Sequence, residues 1–211
     1  MNVDRIAKGY RWLEYGAFGR GLERARFDFL SHAAEARRVL ILGEGDGRFL
    51  AGLLKSNHRA SIAVVESSAR MIELARPRLA SGERSQVEFH QIDAVGGCLP
   101  EGPFDLAVTH FFLDVLSCRD AESVILKIGA ALAPGAVWLV SEFQEPHGDL
   151  RRLHARLWLR AMYGFFSAAT GLRVSKLPPY RDLLKRSGFT EVDYRERRLG
   201  LIRSQVWRKN Q

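Results

Sequence analysis

The chain has 211 residues, 46% of them hydrophobic and 27% charged, with 19 Gly, 7 Pro and 2 Cys. That length and mix fit one globular domain with a substantial core and exclude disordered, collagen-like and disulfide-stapled classes. The balance of 32 Lys and Arg against 24 Asp and Glu leaves a net charge of +8, which admits nucleic acid or an anionic membrane as partner without selecting either.

Cys98 and Cys118 stand outside any CxxC or Cys/His cluster, so no metal site is expected, and their scarcity fits a reducing compartment. The opening MNVDRIAKGYRWLEYG carries Asp4, Arg5, Lys8, Arg11 and Glu14 where a secretion signal would be apolar, and no window reaches the ~20 apolar residues of a spanning helix. A cytoplasmic location is expected.

Residues 1–35 read as a helical cap: Ile6, Tyr10 and Leu13 share one helical face, Gly16 and Gly19 break it, and Leu22, Ala25, Phe29 and His32 or Ala33 form the next. From Arg38 the period changes. The run Val39–Leu42 is continuously apolar and stops at glycines, as a strand buried on both faces does. A helix over 49–56 follows, then a strand at Ile62–Val65, a helix over 68–79, a strand over 87–92, a strand at Leu106–Val108, a helix over 121–132 and a strand at Val137–Val140. Strands alternating with helices predict right-handed crossovers and a parallel sheet with helices on both faces, an α/β open sheet.

After Glu145 the alternation stops. Leu150, Leu153, Leu157, Ala161 and Phe165 form a helical stripe with Trp158, Met162 and Phe166 beside it and Arg151, Arg152, Arg156 and Arg160 opposite. This predicts a helical insertion over 146–176. Pro178-Pro179 then open a short helix to Ser187, and the segments 189–197 and 199–208 read as an antiparallel strand pair, completing a single domain.

The sharpest local feature is Gly43-Glu44-Gly45-Asp46-Gly47, between a buried strand and a helix. Glycines there let the backbone turn tightly and approach a ligand at the strand ends where open α/β sheets bind. Glu66 ends the second strand, where a carboxylate can accept both hydroxyls of a ribose, and Asp93 ends the third, where it suits an exocyclic adenine amine. The structural alternatives are a plain connecting loop, a helix-capping Glu66 and a turn-forming Asp93. The three together on successive strand ends favour a nucleoside site.

With these residues in place, the chain resembles the class I S-adenosylmethionine-dependent methyltransferases. VLILGEGDGRFLAGL resembles the family's first motif, VVESSARMIELAR its second and FHQIDA its third, and FDLAVTHFFLDVL and LAPGAVWLVSEF resemble its strand-four and strand-five segments. The resemblance implies a Rossmann-like, seven-stranded, mostly parallel sheet in the order 3-2-1-4-5-7-6, with residues 36–145 as the cofactor-binding core. It also implies S-adenosylmethionine as cofactor: Gly43, Gly45 and Gly47 around its methionine and ribose, Glu66 on the ribose, Asp93 and the Ala94 amide at the adenine, and Ser67 and Met71 flanking the ring. The family's carboxylate two residues before the first loop glycine is replaced here by Ile41, and Glu44 is the candidate substitute. A nicotinamide site is disfavoured, since residue 48 is Arg where GxGxxG needs glycine.

Methyl transfer is an in-line displacement that needs alignment and desolvation more than acid–base chemistry. The segment Thr109–Asp114 after strand four faces the cofactor in such folds, and His110 is the candidate base, the alternative being a hydrogen bond to the cofactor's carboxylate or a backbone carbonyl. The Asp/Asn-Pro-Pro-Tyr/Phe signature of base-amino methyltransferases is absent after strand four, and Pro178-Pro179-Tyr180 matches it in letters only. IAKGYRWLE resembles the N-terminal segment of ubiquinone and menaquinone biosynthesis methyltransferases, which implies that Tyr10 approaches the cofactor. Tyr15, Phe111, Trp158 and Met162 are the candidate substrate-pocket residues. The expected acceptor is a small, largely apolar molecule, a quinone precursor or an aromatic or lipid-like metabolite. The alternatives are an RNA methyltransferase, or a module that binds adenosyl nucleotide or nucleic acid without chemistry. The basic helix of the insertion is a second candidate surface, for peripheral contact with an anionic membrane. The sequence does not fix the oligomeric state.

Overall fold

Every residue of β1 (Arg38–Leu42) after Arg38 is buried, because the strand lies inside a sheet covered on both faces. Leu40 and Leu42 point into one core with Val65, Ala107, Trp138, Val140 and Trp207, while Val39 and Ile41 point into the other with Ile62, Val64, Val108 and Leu139. The computed structural model describes residues 19–146, 148, 153, 155–160, 164 and 177–211. The candidate residues Tyr10, Tyr15 and Met162 lie outside the described residues.

The remaining strands are β2 (Ser61–Glu66), β3 (Val87–Gln91), β4 (Phe104–His110), β5 (Leu132–Phe143), β6 (Phe189–Arg197) and β7 (Ile202–Lys209). They form one sheet in the order β3-β2-β1-β4-β5-β7-β6, the expected order. Pairing is parallel from β3 across to β5, and β7 lies antiparallel to both β5 and β6. Helix α2 (Arg48–Ser56) buries Phe49, Leu50, Leu53 and Leu54 against one face, and α4 (Cys118–Ala131) and α5 (Tyr180–Arg186) cover the other. α1 (Gly21–Phe27) and the following turn bury Leu22, Ala25, Phe29 and Ala33 and leave His32 exposed, settling which residue completes the buried face. Asn57 ties this cap to α2 by donating to the carbonyls of Ala33 and Ala36 at 2.9 and 2.7 Å.

Several boundaries differ from expectation for local reasons. Helix α3 (Ala69–Ala75) starts under a Ser68 cap, with the Met71 amide donating to Oγ at 3.0 Å, and stops well short of Leu79. Pro77 has no N–H to continue it, so Arg76–Arg78 tighten into a 3-10 turn. Helix α4 starts three residues early because the Ser117 side chain caps it through the Asp120 amide. Strand β5 begins at Leu132, ahead of Pro134-Gly135, where Leu132 pairs with Phe104.

The insertion corrects the expected apolar stripe. Leu153 and Leu157 are 56% and 62% exposed, whereas Ala155 and Leu159 are 1% and 5% exposed. The described part of this helix turns a different face inward because Ala155 and Leu159, one turn apart, join Leu22 and Ala25 of α1, Phe143 at the end of β5 and Leu201 and Ile202 at the start of β7. Since β7 is antiparallel, its start and the end of β5 share one edge of the sheet, and this third apolar cluster caps that edge. Phe111 and Trp158 pack against it, half-buried. Among the described residues no helix is long and apolar enough to cross a membrane.

Candidate functional site: the glycine loop and the strand ends

The loop after β1 is pinned from three sides. The Gly43 amide donates to the Val65 carbonyl at 2.9 Å, and a Cβ on Gly43 would come within 2.6 Å of the Phe112 ring. Gly47, with φ of 82°, abuts Ala75 so closely that a Cβ would lie 2.7 Å from its methyl carbon. Gly45 is different: its φ is 69°, yet a Cβ there would meet nothing within 4 Å. Packing demands the outer two glycines, while the middle one opens onto free space, the side from which a ligand approaches.

Glu44 and Glu66 brace this loop. Glu44 Oε1 accepts the Leu50 amide at 2.9 Å, capping the first turn of α2, and burial pushes its carboxyl up to about 8. Glu66 Oε1 accepts the Ser68 amide at 2.9 Å and Oε2 the Gly45 amide at 3.2 Å, and burial raises this carboxyl too. Ser67 also bonds this carboxylate through its amide and its hydroxyl. Ser67 is exposed beside it and Met71 is buried at the start of α3.

At the end of β3, Asp93 is exposed and Ala94 buried. Asp93 Oδ1 accepts the Val95 amide at 3.0 Å, and the Gly97 amide returns to the Asp93 carbonyl at 2.7 Å, so the strand end folds into a tight turn. Lys127 of α4, unremarked in the sequence, holds this turn from behind by donating to the carbonyls of Ala94, Val95 and Gly97.

At the end of β4 the chain makes a strained corner: Phe111, not a glycine, has φ of 54°. Beside it is a small crevice lined by Arg26, Gly43, Glu44, Phe49 and His110, with Ile41 and Leu42 also lining it. His110 stands edge-on to Phe49, ring centroids 4.7 Å apart, and both its ring nitrogens are buried without a hydrogen-bond partner. Burial, reinforced by the Arg26 charge, pushes this imidazole down to about 3. It is therefore neutral, with one donor and one acceptor nitrogen unspent, and a weak proton acceptor. Ile41 is 1% exposed and part of the core. The ionisable groups lining the crevice besides His110 are thus Glu44 and Arg26. Arg26 escaped sequence reasoning, although it lies four residues after buried Leu22 and next to buried Ala25, on the inward side of α1.

The geometry fits an adenosyl cofactor: an open middle glycine, a carboxylate at the end of β2, a tight acidic turn at the end of β3, and buried ring nitrogens of His110 without partners at the end of β4. Residues 40–138 match a family model described as a methyltransferase domain. No curated protein matches the chain. Among solved structures it resembles the apo form of the S-adenosylmethionine-dependent methyltransferase SibL, at 20% identity and TM-score 0.66, over 90% of this chain and 55% of that one. It also resembles N-methyltransferase NodS from Bradyrhizobium japonicum WM9 in complex with S-adenosyl-L-homocysteine, at 19% identity and TM-score 0.66, over 90% and 88%. A third is the mitomycin 7-O-methyltransferase MmcR, at 17% identity and TM-score 0.69, over 99% and 61%. The chain spans little more than half the length of SibL, and at these identities the likeness is one of fold.

An open α/β sheet with an antiparallel seventh strand and this loop at the end of β1 is the fold these methyltransferases share. Residues 40–138 match the methyltransferase-domain family, and the described sheet has the fold of the S-adenosylmethionine-dependent methyltransferases it resembles.

Proposed function

We propose that this protein transfers a methyl group from S-adenosylmethionine to a small, largely apolar acceptor, of the quinone-precursor, aromatic or lipid-like kind. The observation that carries the reading is the third apolar cluster, which covers the sheet edge beside the glycine loop and keeps Phe111 and Trp158 half-buried there. An enclosure walled by aromatic and aliphatic side chains excludes water and selects apolar partners.

When bound, S-adenosylmethionine supplies a methyl carbon activated by its sulfonium charge. Glu66 would hold the ribose hydroxyls, Asp93 and the Ala94 amide the adenine edge, and the glycine loop the adenosyl and methionine portions. Arg26 and Glu44 form an opposite-sign pair of groups for the carboxylate and ammonium of the amino-acid end, with Glu44 in the role left empty by Ile41. His110 donates or accepts a hydrogen bond beside them as a neutral imidazole and positions rather than deprotonates, since a base works best with a pKa near the working pH. The protein's contribution is then alignment and desolvation.

The charge of +8 favours nucleic acid as the second reading. Against it, six of the arginines are engaged in ion pairs within the protein: Arg195 and Arg197 with Asp28, Arg181 and Arg203 with Glu191, and Arg48 and Arg78 with Asp46. A screen of phenols, quinone precursors, amines, lipid-like acids and RNA with labelled cofactor tests both. Methyl incorporation into the apolar compounds supports the first reading. Incorporation into RNA alone, with affinity falling steeply with salt, replaces it with the second.

A further inference from the structure

We propose that Asp28 is a positioning residue: through Arg195, Arg197 and Ser204 it fastens the C-terminal end of α1 to β6 and β7, and so sets the Arg26 guanidinium at the crevice for the carboxylate of the cofactor's amino-acid end. This rests on the reading that Arg26 meets that carboxylate.

Arg195 and Arg197 are two residues apart on β6 and share a face, and Ser204 stands opposite Arg195 on β7. All three converge on Asp28, the residue that ends α1, whose side chain is 1% exposed. Its Oδ1 accepts from Arg195 Nη1 at 3.1 Å and from Arg197 Nη2, and its Oδ2 accepts from Arg197 Nε at 2.8 Å and from Ser204 Oγ at 3.0 Å. Four donors fill the lone-pair sites of a carboxylate, two of them in the fork with which one arginine grips both oxygens. The last carbonyls of a helix disfavour a carboxylate at its C-terminal end, so these donors are what keep Asp28 there.

The helix is also held from the sheet. Ser141 Oγ of β5 lies 3.1 Å from the Ala25 carbonyl oxygen, and Ser204 Oγ lies 2.9 Å from it. Each hydroxyl has one proton, so Ser141 donates to Ala25 while Ser204 donates to Asp28, and both acceptors are served. The Ser141 carbonyl meanwhile accepts the Phe111 amide at 2.7 Å. Arg26 lies between the fixed residues Ala25 and Asp28, and its guanidinium carbon is 5.3 Å from the centre of the Phe111 ring, at the crevice it lines with Glu44 and His110. A long side chain reaches one place only when its backbone is fixed, and a charge already in place costs less to order when a ligand binds. Glu44 is held by the Leu50 amide of α2 instead. Loosening the anchor therefore moves one charge of the opposite-sign pair and leaves the other.

Asp28→Asn is the test, since an amide keeps the size, removes the charge and gives Arg197 one acceptor in place of two. Titration calorimetry reads the affinity for S-adenosylhomocysteine and for 5′-methylthioadenosine, which keeps the adenosine and the thioether and lacks the carboxylate and ammonium. The variant is expected to lose about tenfold for the first ligand and less than about twofold for the second. Placed on top of Arg26→Met, Asp28→Asn should cost S-adenosylhomocysteine nothing further, because substitutions acting through one contact are not additive. Arg197→Gln breaks the same anchor from β6 and should give the same split, which keeps the comparison available if Asp28→Asn does not fold. Equal losses for the two ligands, or an undiminished loss in the Arg26→Met background, show that Asp28 supports the fold at large and overturn the positioning role alone. Arg26→Met that binds both ligands as the wild type does overturns the reading of Arg26, and the purpose of the anchor with it.

Discussion

Lys127 Nζ lies 2.6 Å from the Val95 carbonyl oxygen, and the carbonyls of Gly97 at 2.9 Å and Ala94 at 3.1 Å use its other two donor positions. An ammonium with every proton directed at one turn fixes that turn as a unit, and the turn carries Asp93 and Ala94. Lys127→Met keeps the length of the side chain and removes the donors. S-adenosylhomocysteine affinity is expected to fall about tenfold, roughly 1.4 kcal/mol. The analogue lacking the adenine amino group should lose less, because the defect is confined to the adenine end. Titration calorimetry with both ligands reads this, and an equal loss for both would show that Lys127 does not act through the adenine.

Glu66→Ala should weaken S-adenosylhomocysteine by tenfold or more. The variant loses the acceptor for two ribose hydroxyls and also frees the Gly45 amide, which now points at Glu66 Oε2 from 3.2 Å. Hydrogen bonds to a charged group are worth about 1.5 to 3 kcal/mol each. Unchanged affinity would remove the ribose role from Glu66 and leave it only its structural bonds to Gly45 and Ser68.

Glu44 makes a prediction with a sign. Its carboxyl is pushed from an ordinary 4.5 to about 8 by burial, so folding takes up a proton between those values. The associated stability is fully present below about pH 4.5 and is lost as the pH rises through about 8. If the cofactor's ammonium sits beside Glu44, binding reverses the shift and drives the proton off. Calorimetry near pH 7 in buffers of different ionisation enthalpy should then report proton release on binding S-adenosylhomocysteine, and Glu44→Gln should abolish it. Release that persists in Glu44→Gln would place the ammonium elsewhere.

His110→Asn should lower turnover on an identified acceptor by less than tenfold. Its imidazole is held near 3 by burial and the Arg26 charge, and loss of an aligned general base would cost 10²-fold or more. The pH–rate profile is the check. A limb near neutrality that vanishes in this variant would return His110 to the role of base.

The sheet could be read from the chain because its strands announce themselves: Val39–Leu42 and Ile62–Val65 are apolar without interruption, as burial on both faces requires. The acidic strand ends and the glycines were legible for the same reason, being polar or small where the run stops. What could not be read depends on partners distant in sequence. Leu153 and Leu157 share a stripe with the right period, yet Ala155 and Leu159 face inward, because the small Ala25 of α1 leaves room for them. Glu142 interrupts an apolar strand, which marks it as unusual, but its task emerges only from the amides of Phe112, Leu113 and Asp114 that β4 brings to it. Arg26 is one of several arginines in the cap until α1 is laid over the crevice.

The position of β7 bears on how the chain reaches this structure as it is made. β7 comes after every other element in sequence, yet it stands inside the sheet, and β6 touches the sheet only through it. A ribosome that has finished β6 has produced a strand with no neighbour to join, while the edge of β5 that β7 will cover waits along Val137–Phe143. Long-range pairings of this kind are slow to form. The pairing of β5 with β7 must wait until β7 has been made. Until then the edge of β5 is an unpaired edge open to the wrong strand.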